Sequence, residues 1–157
     1  MTAKKYSARD CEFQIEDPGA PGTWVAIAPG AGGTGGGINT FTKSHSSSTS
    51  DLTTFGSEGN DESQVMGRGK TLGLQGFRLK DPDTGALDAG QALVEALADQ
   101  VSDASVGTIR FAAPGDTTWE VWSATAELGD EGGGNNDKTS WAVTFTRTGP
   151  ATTAAKP

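Results

Sequence analysis

Residues 24–41 read WVAIAPGAGGTGGGINTF, and Gly30, Gly32 and Gly35 satisfy G-x-G-x-x-G. In a dinucleotide site such glycines let the backbone approach a pyrophosphate that rests on a helix N-terminus. The mechanism therefore requires a helix directly afterwards. Ile38 to Thr49 instead mixes β-branched, aromatic and hydroxyl residues without a 3.6-residue period, a composition that favours strand over helix. The glycine-rich loop 29–37 thus reads as a connector between two strands. QVMGRGKT at 64–71 imitates the end of a phosphate-binding loop, but Gln64 replaces its first glycine and LGLQGFRL follows as a strand. Without a helix to present its amides that motif also loses its chemistry.

Nucleophilic and metal chemistry fare no better. Cys11 and His45 are the single cysteine and single histidine, too few for a structural zinc site in one chain, and intramolecular disulfides are excluded. Cys11 opens a strand-like segment with no activating motif beside it, which fits a buried thiol. His45 lies in KSHSSSTSD with Asp51 nearby, yet triads are assembled by the fold and no nucleophile elbow is present. Asp130, Glu131 and Asp137 lack the spacing of a calcium loop. The expectation is no enzyme and no cofactor.

Composition narrows the class further. The chain has 157 residues, suited to one domain, with 34% hydrophobic residues and 23 glycines. That balance implies short strands, many turns and segments that gain order from a partner. Net charge is −8 with scattered lysines and arginines, so a tight grip on nucleic acid phosphates is disfavoured, whereas an acidic surface past which DNA slides is permitted. No apolar run is long enough to cross a membrane, so no membrane anchor is expected, and the first residues lack the apolar stretch of a signal peptide.

The elements that must position any site are mostly strands. Glu12–Glu16 alternates, DPGAPG at 17–22 turns, and Trp24–Ala28 returns as the partner of a hairpin. Asn39–Lys43 reads as a short strand, and residues 44–69 as a long polar loop that retains Leu52, Phe55, Val65 and Met66. Thr71–Leu79 is a strand whose alternation slips at Gly76, the mark of a bulge or bend. Asp88–Val101 is the one helix, with Asp88 and Gln91 as a capping-box variant and Leu93, Val94, Leu97, Ala98 and Val101 on its apolar arc. Thr108–Ala113, Trp119–Leu128 and Ser140–Arg147 finish the pattern, the middle strand turning Trp119 and Trp122 to opposite faces. The fold class is mainly β (α+β): an antiparallel β-sandwich or partly open barrel with one flanking helix at about 88–101. Residues 1–11 form an N-terminal arm, 12–149 a single domain, and 150–157 a flexible tail without core residues.

In this order FQIEDPGAPGTWVAIA, NTFTKSHSSSTSDLTTFGSEG, QVMGRGKTLGLQGF, DPDTGALDAGQALVEAL and GGGNNDKTSWAVTFTRTG resemble the major tail tube proteins of long-tailed, non-contractile bacteriophages, in the flavour found in phages of actinobacteria. The glycine loop 29–37 is longer than the pattern leads one to expect. The resemblance implies six copies in a ring and rings stacked into a hollow tube. DNA would pass through its lumen without specific binding. It implies a virion location in the tail, assembly in the host bacterial cytoplasm, and a tape-measure protein, a tail terminator and tail assembly chaperones as partners besides the chain itself.

Under that reading Leu52, Phe55, Val65 and Met66 are the expected contacts between copies, with Phe55 the first anchor, and Glu12, Glu16, Glu120 and Glu127 the strand carboxylates for the lumen. Six copies at −8 each make an acidic ring that DNA would not adhere to. The competing class is a monomeric β-sandwich binding module, receptor- or carbohydrate-binding, which would use the four tryptophans as an exposed platform.

Overall fold

The computed structural model describes residues 2–29 and 36–157. Gly30, Gly32 and Gly35 fall outside the described residues. Eight strands form one sheet in which every pair is antiparallel: β1 (Glu12–Glu16), β2 (Trp24–Ala26), β3 (Ile38–Asp51), β4 (Ser63–Phe77), β5 (Val106–Ala112), β6 (Thr118–Leu128), β7 (Ser140–Arg147) and β8 (Thr152–Ala155). The order is β2-β1-β5-β6-β7-β4-β3, with β8 added to β6.

The sheet curls until its ends nearly meet. Phe13 on β1 and Phe41 on β3 belong to strands far apart in that order, yet their rings lie 5.2 Å apart. The concave face is the core, holding Ile15, Leu72, Leu74, Ile109, Trp122, Trp141, Val143 and Phe145. This is the expected partly open barrel, formed by one sheet and left unclosed between β2 and β3.

α1 (Ala89–Ala98) packs across one end. Asp88 Oδ2 accepts from the Gln91 amide at 3.1 Å and from the Ala28 amide at 3.0 Å. The capping box is only half built, because Gln91 turns away from the cap. Its side chain, 1% exposed, accepts from Leu79 N and donates to the Phe77 carbonyl. Those backbone groups stand at the last residue of β4 and just past it, and need a partner in the core. The helix ends before its expected Val101, which is 80% exposed. Ser102 adopts a left-handed conformation (φ 60°) that turns the chain into β5. Leu97, the last large apolar residue of α1, seats where Gly107 has no Cβ.

Three further expectations are corrected. Residues 44–69 are not a long loop: β3 and β4 pair without a break in chain order from Thr40–Gln75 to Ser48–Gly67 and, past one shift, to Asp51–Ser63. Ser, Thr and Gly alternate there without an apolar face, so the periodicity that marks a half-buried strand is missing although the ladder is made by backbone groups. The slip expected at Gly76 is real, but the extra residue is Asn39 on β3. A Cβ on Gly76 would collide with the Gly37 carbonyl. Third, the tail is a strand. β7 covers β6 only from Ala124 onward, and β8 fills the vacant ladder at Thr118–Val121. Any short extended segment can supply those hydrogen bonds, so Thr and Ala suffice.

Candidate functional site

β3 and β4 outrun the rest of the sheet. Thr71 is the first β4 residue that pairs with β7, and from there to Ser63 the hairpin projects alone by roughly 26 Å at 3.3 Å per residue. Its turn is knit internally. Thr53 N donates to Asp51 Oδ1, Glu62 N to Thr53 Oγ1, Leu52 N to the Glu62 carbonyl and Thr54 N to Ser57 Oγ. At the apex Phe55 is fully exposed, and Met66, Leu52 and Val65 are 68%, 48% and 45% exposed. All four residues expected to meet another copy therefore lie on this hairpin and outside the chain's own core. A two-stranded ribbon with no packed face is marginal by itself, and a phenylalanine held in water by a preorganised turn lacks a structural purpose within one copy.

The two faces of the sheet differ in chemistry. Partners across a ladder share a face, so Ser44, Thr71, Thr146 and Thr125 form a hydroxyl row on the outer face of β3, β4, β7 and β6. The next row runs Thr42, Gly73, Thr144, Glu127. Glu12 and Glu16 alternate with Phe13 and Ile15 and lie on the outer face as well, Glu12 reaching Lys156 Nζ at 3.4 Å. Glu120 does not join them. It shares the inner face with Trp122 and accepts from Lys43 Nζ at 2.8 Å and from Trp122 Nε1 at 3.0 Å.

Burial alone would push the Glu120 carboxyl up; the hydrogen bonds from Lys43 and Trp122 and the charges of Lys43 and Lys70 outweigh it, and the group sits below the ordinary glutamate range. A carboxylate depressed in the folded state contributes stability above its unfolded pKa, and that stability is lost as pH falls through the folded value. Glu120→Gln should therefore flatten the acid limb of the stability curve below about pH 4.3. Equal acid slopes for variant and wild type in urea titrations would refute it.

The tryptophans do not form a platform. Trp119, Trp122 and Trp141 are buried. Trp24 is half-buried, with the Arg110 guanidinium 4.3 Å from its ring and 4.4 Å from that of Trp119. Arg110 Nε donates to Gln14 Oε1 at 2.7 Å, and Lys156 caps Trp119 at 4.9 Å. The tail strand buries the tryptophan that a binding surface would need exposed.

Among the described residues no three histidine, cysteine, aspartate or glutamate side chains gather to hold a metal. His45 pairs with Lys70 on the hairpin, and Lys70 with its GKT neighbours is strand, not loop. Burial and the nearby Asp10 and Asp116 push the Cys11 thiol up, the opposite of activation. Two clefts open beside β1. The larger, about 960 Å³, lies between residues 8–14, Ala26–Pro29 and the start of β3; the other, about 460 Å³, exposes Phe13, Phe41 and Phe111 at the barrel mouth. In the smaller cleft the charged pair Lys43–Glu120 satisfies itself. Among the described residues no helix is long and apolar enough to cross a membrane.

No protein-family profile and no curated protein sequence matches the chain. Solved structures do match. A chain from the tail of an empty gene transfer agent particle, determined with helical refinement and C6 symmetry, superposes with a TM-score of 0.68 at 18% identity, over 96% of this chain and 100% of that one. A chain from the virion of a native gene transfer agent particle gives 0.62 at 16% identity, with 96% and 100% coverage. One from a six-fold symmetrised anti-feeding prophage baseplate gives 0.58 at 11% identity, over 99% and 98%. The fold is thus the open antiparallel barrel with one flanking helix that occurs in these particles. Identities this low establish the fold and nothing finer.

Proposed function

We propose that this chain is the subunit of a phage-type tail tube, a virion protein that acts by assembling and not by catalysis. The observation that carries the reading is the end-to-end match to a chain in a C6-symmetric tail. Six copies would form a ring, and rings would stack. The projecting hairpin would make the contact between copies, with Phe55 as anchor and Leu52, Val65 and Met66 beside it, polar when free and able to bury apolar surface when docked. The outer edge of β3, unpaired by any strand among the described residues, would be covered by ring closure; long open edges otherwise template aggregation.

The outer face suits a lumen. Its hydroxyl rows and Glu127 present no free cation on β3, β4, β7 or β6, so duplex DNA would find nothing to grip. Glu12, Glu16 and Glu127 remain the lumen carboxylates of this proposal, while Glu120 is committed to Lys43. Tape-measure protein, terminator and assembly chaperones, together with assembly in a bacterial cytoplasm and the siphophage affinity, belong to the same reading.

Electron microscopy of the concentrated protein, beside its mass by size exclusion, tests it. Hollow tubes or six-fold rings are the expected result. Phe55→Ala should raise the concentration needed for them. A monomer at every concentration would count against the reading and turn attention to ligand screens.

A further inference from the structure

The smaller cleft at the barrel mouth has the lining of an aromatic site. Phe41, Phe13 and Phe111 stand in a row, with ring centroids 5.2 and 6.4 Å apart. All three are only partly buried, and the cleft of about 460 Å³ opens in front of them. At its polar end Lys43 and Glu120 are joined at 2.8 Å, with the ammonium 5.0 Å from the Phe111 ring centre. Aromatic faces that end in a hydrogen-bonding pair fit a side chain with an apolar body and a polar tip, as tyrosine has.

A tyrosine stands at the lip. Tyr6 lines this cleft and is nevertheless 65% exposed. Residues 2–7 form no helix or strand and are exposed throughout. The root of this arm is tied, because Asp10 N donates to the Ser7 carbonyl and Cys11 N to the Ala8 carbonyl. That turn fixes where the arm starts, and six extended residues reach roughly 20 Å, enough to cross the cleft. The charges match as well. Around the cleft Glu120 has Lys43, Glu12 has Lys156 and Asp10 has Arg9. Asp116 also lines it and accepts from the Ala113 amide, but among the described residues it forms no ion pair, and neither does Lys4. In an extended arm Lys4 shares a side with Tyr6, so a Tyr6 turned inward brings Lys4 over the cleft that Asp116 lines.

We propose that the N-terminal arm is a strap: residues 2–7 fold over the barrel mouth, Tyr6 enters the cleft against Phe13, Phe41 and Phe111 with its hydroxyl at the Lys43–Glu120 pair, and Lys4 meets Asp116. This goes beyond the tube reading and does not rest on it. The occupant is the chain's own arm, because its root is already fixed at the lip and a loop this short costs little entropy to close. Closed, the strap screens three aromatic faces that would otherwise invite association. Open, as the structure has it, the strap bares them. One ring and one exposed ion pair hold it, a grip weak enough to open and close rapidly.

Tyr6 is the single tyrosine and Cys11, which lines the same cleft, the single cysteine, so each gives one clean signal. In full-length protein made with fluorotyrosine, the one fluorine line should stand apart from its position in the urea-unfolded chain, moved by the phenylalanine ring currents. Labelling of the Cys11 thiol by an aromatic disulfide reagent should be at least about fivefold faster in Tyr6→Ala than in wild type, the factor by which closure depletes the open form. Tyr6→Phe keeps the ring and should stay nearer wild type. Lys4→Glu should also speed labelling, although an added negative charge by itself disfavours the reactive thiolate. Urea midpoints equal to wild type show that each variant keeps the barrel, and the fluorine line needs no variant at all. A line at its unfolded position, or equal labelling of wild type and Tyr6→Ala, overturns the strap. A shifted line that returns to the unfolded position on dilution gives the cleft to the arm of a second copy and overturns it too.

Discussion

Trp122→Ala is expected to cost about 3–5 kcal/mol of folding stability, a large share of the roughly 5–15 kcal/mol that holds a domain together. Trp122 is fully buried. Its ring meets the edge of Phe111 at 5.0 Å and 88°, and its Nε1 donates to Glu120. Lys43 and Arg147 approach its face at 5.8 and 6.0 Å. Alanine would leave a cavity in the core on the concave face and would strip Glu120 of a donor. Trp122→Phe should lose far less, about 1–2 kcal/mol, because the ring volume largely stays and chiefly the hydrogen bond goes. Urea titrations of the three proteins decide it; a midpoint for Trp122→Ala indistinguishable from wild type would refute the account.

Replacing Leu52–Glu62 by Asn-Gly should have the opposite profile. Asp51 and Ser63 are paired across the ladder, and a two-residue Asn-Gly turn closes such a pair with the right twist. Within the excised turn only Ser57 is buried, so stability should move by less than about 1 kcal/mol. Association should be abolished, since Phe55 and Leu52 leave with the turn. Size exclusion and electron microscopy read the second effect, urea the first. Tubes from the shortened chain would remove the hairpin tip from the assembly contact. The two variants together separate folding from assembly: one damages the barrel and spares the tip, the other removes the tip and spares the barrel.

Much of this architecture is legible before any coordinates. Glu12–Glu16 and Ser140–Arg147 alternate cleanly, and they are strands with those bounds. The start of α1 follows from Asp88, whose carboxylate does cap the helix. Neither decoy deceives, because Ile38 onward and Thr71 onward are strand where a phosphate site needs a helix. Opposite-facing Trp119 and Trp122 are read correctly from a period of two.

Where sequence reasoning fell short, backbone pairing had overridden side-chain signal. Residues 44–51 and 63–70 lack an apolar stripe, so a hairpin passes for a loop. The tail lacks any core residue, so β8 passes for a mobile end, although an unfilled stretch of β6 awaited it. Glu120 looks like its neighbours Glu12, Glu16 and Glu127 until the register turns it inward to Lys43. The apolar wheel continues to Val101, yet α1 ends at Ala98 and Ser102 bends the chain away.

By itself the sequence determined the class: periods of two with one amphipathic run, a single cysteine that excludes an intramolecular disulfide, and a net charge of −8 that disfavours gripping nucleic acid. Side-chain patterning is local, and local rules suffice for it. The tertiary structure decided that the barrel curls until Phe13 touches Phe41, that a hairpin stands clear of it, and that Glu120 turns inward to Lys43. Those facts depend on ladder register and sheet curvature, which arise from backbone groups every residue shares and which only the folded chain brings together.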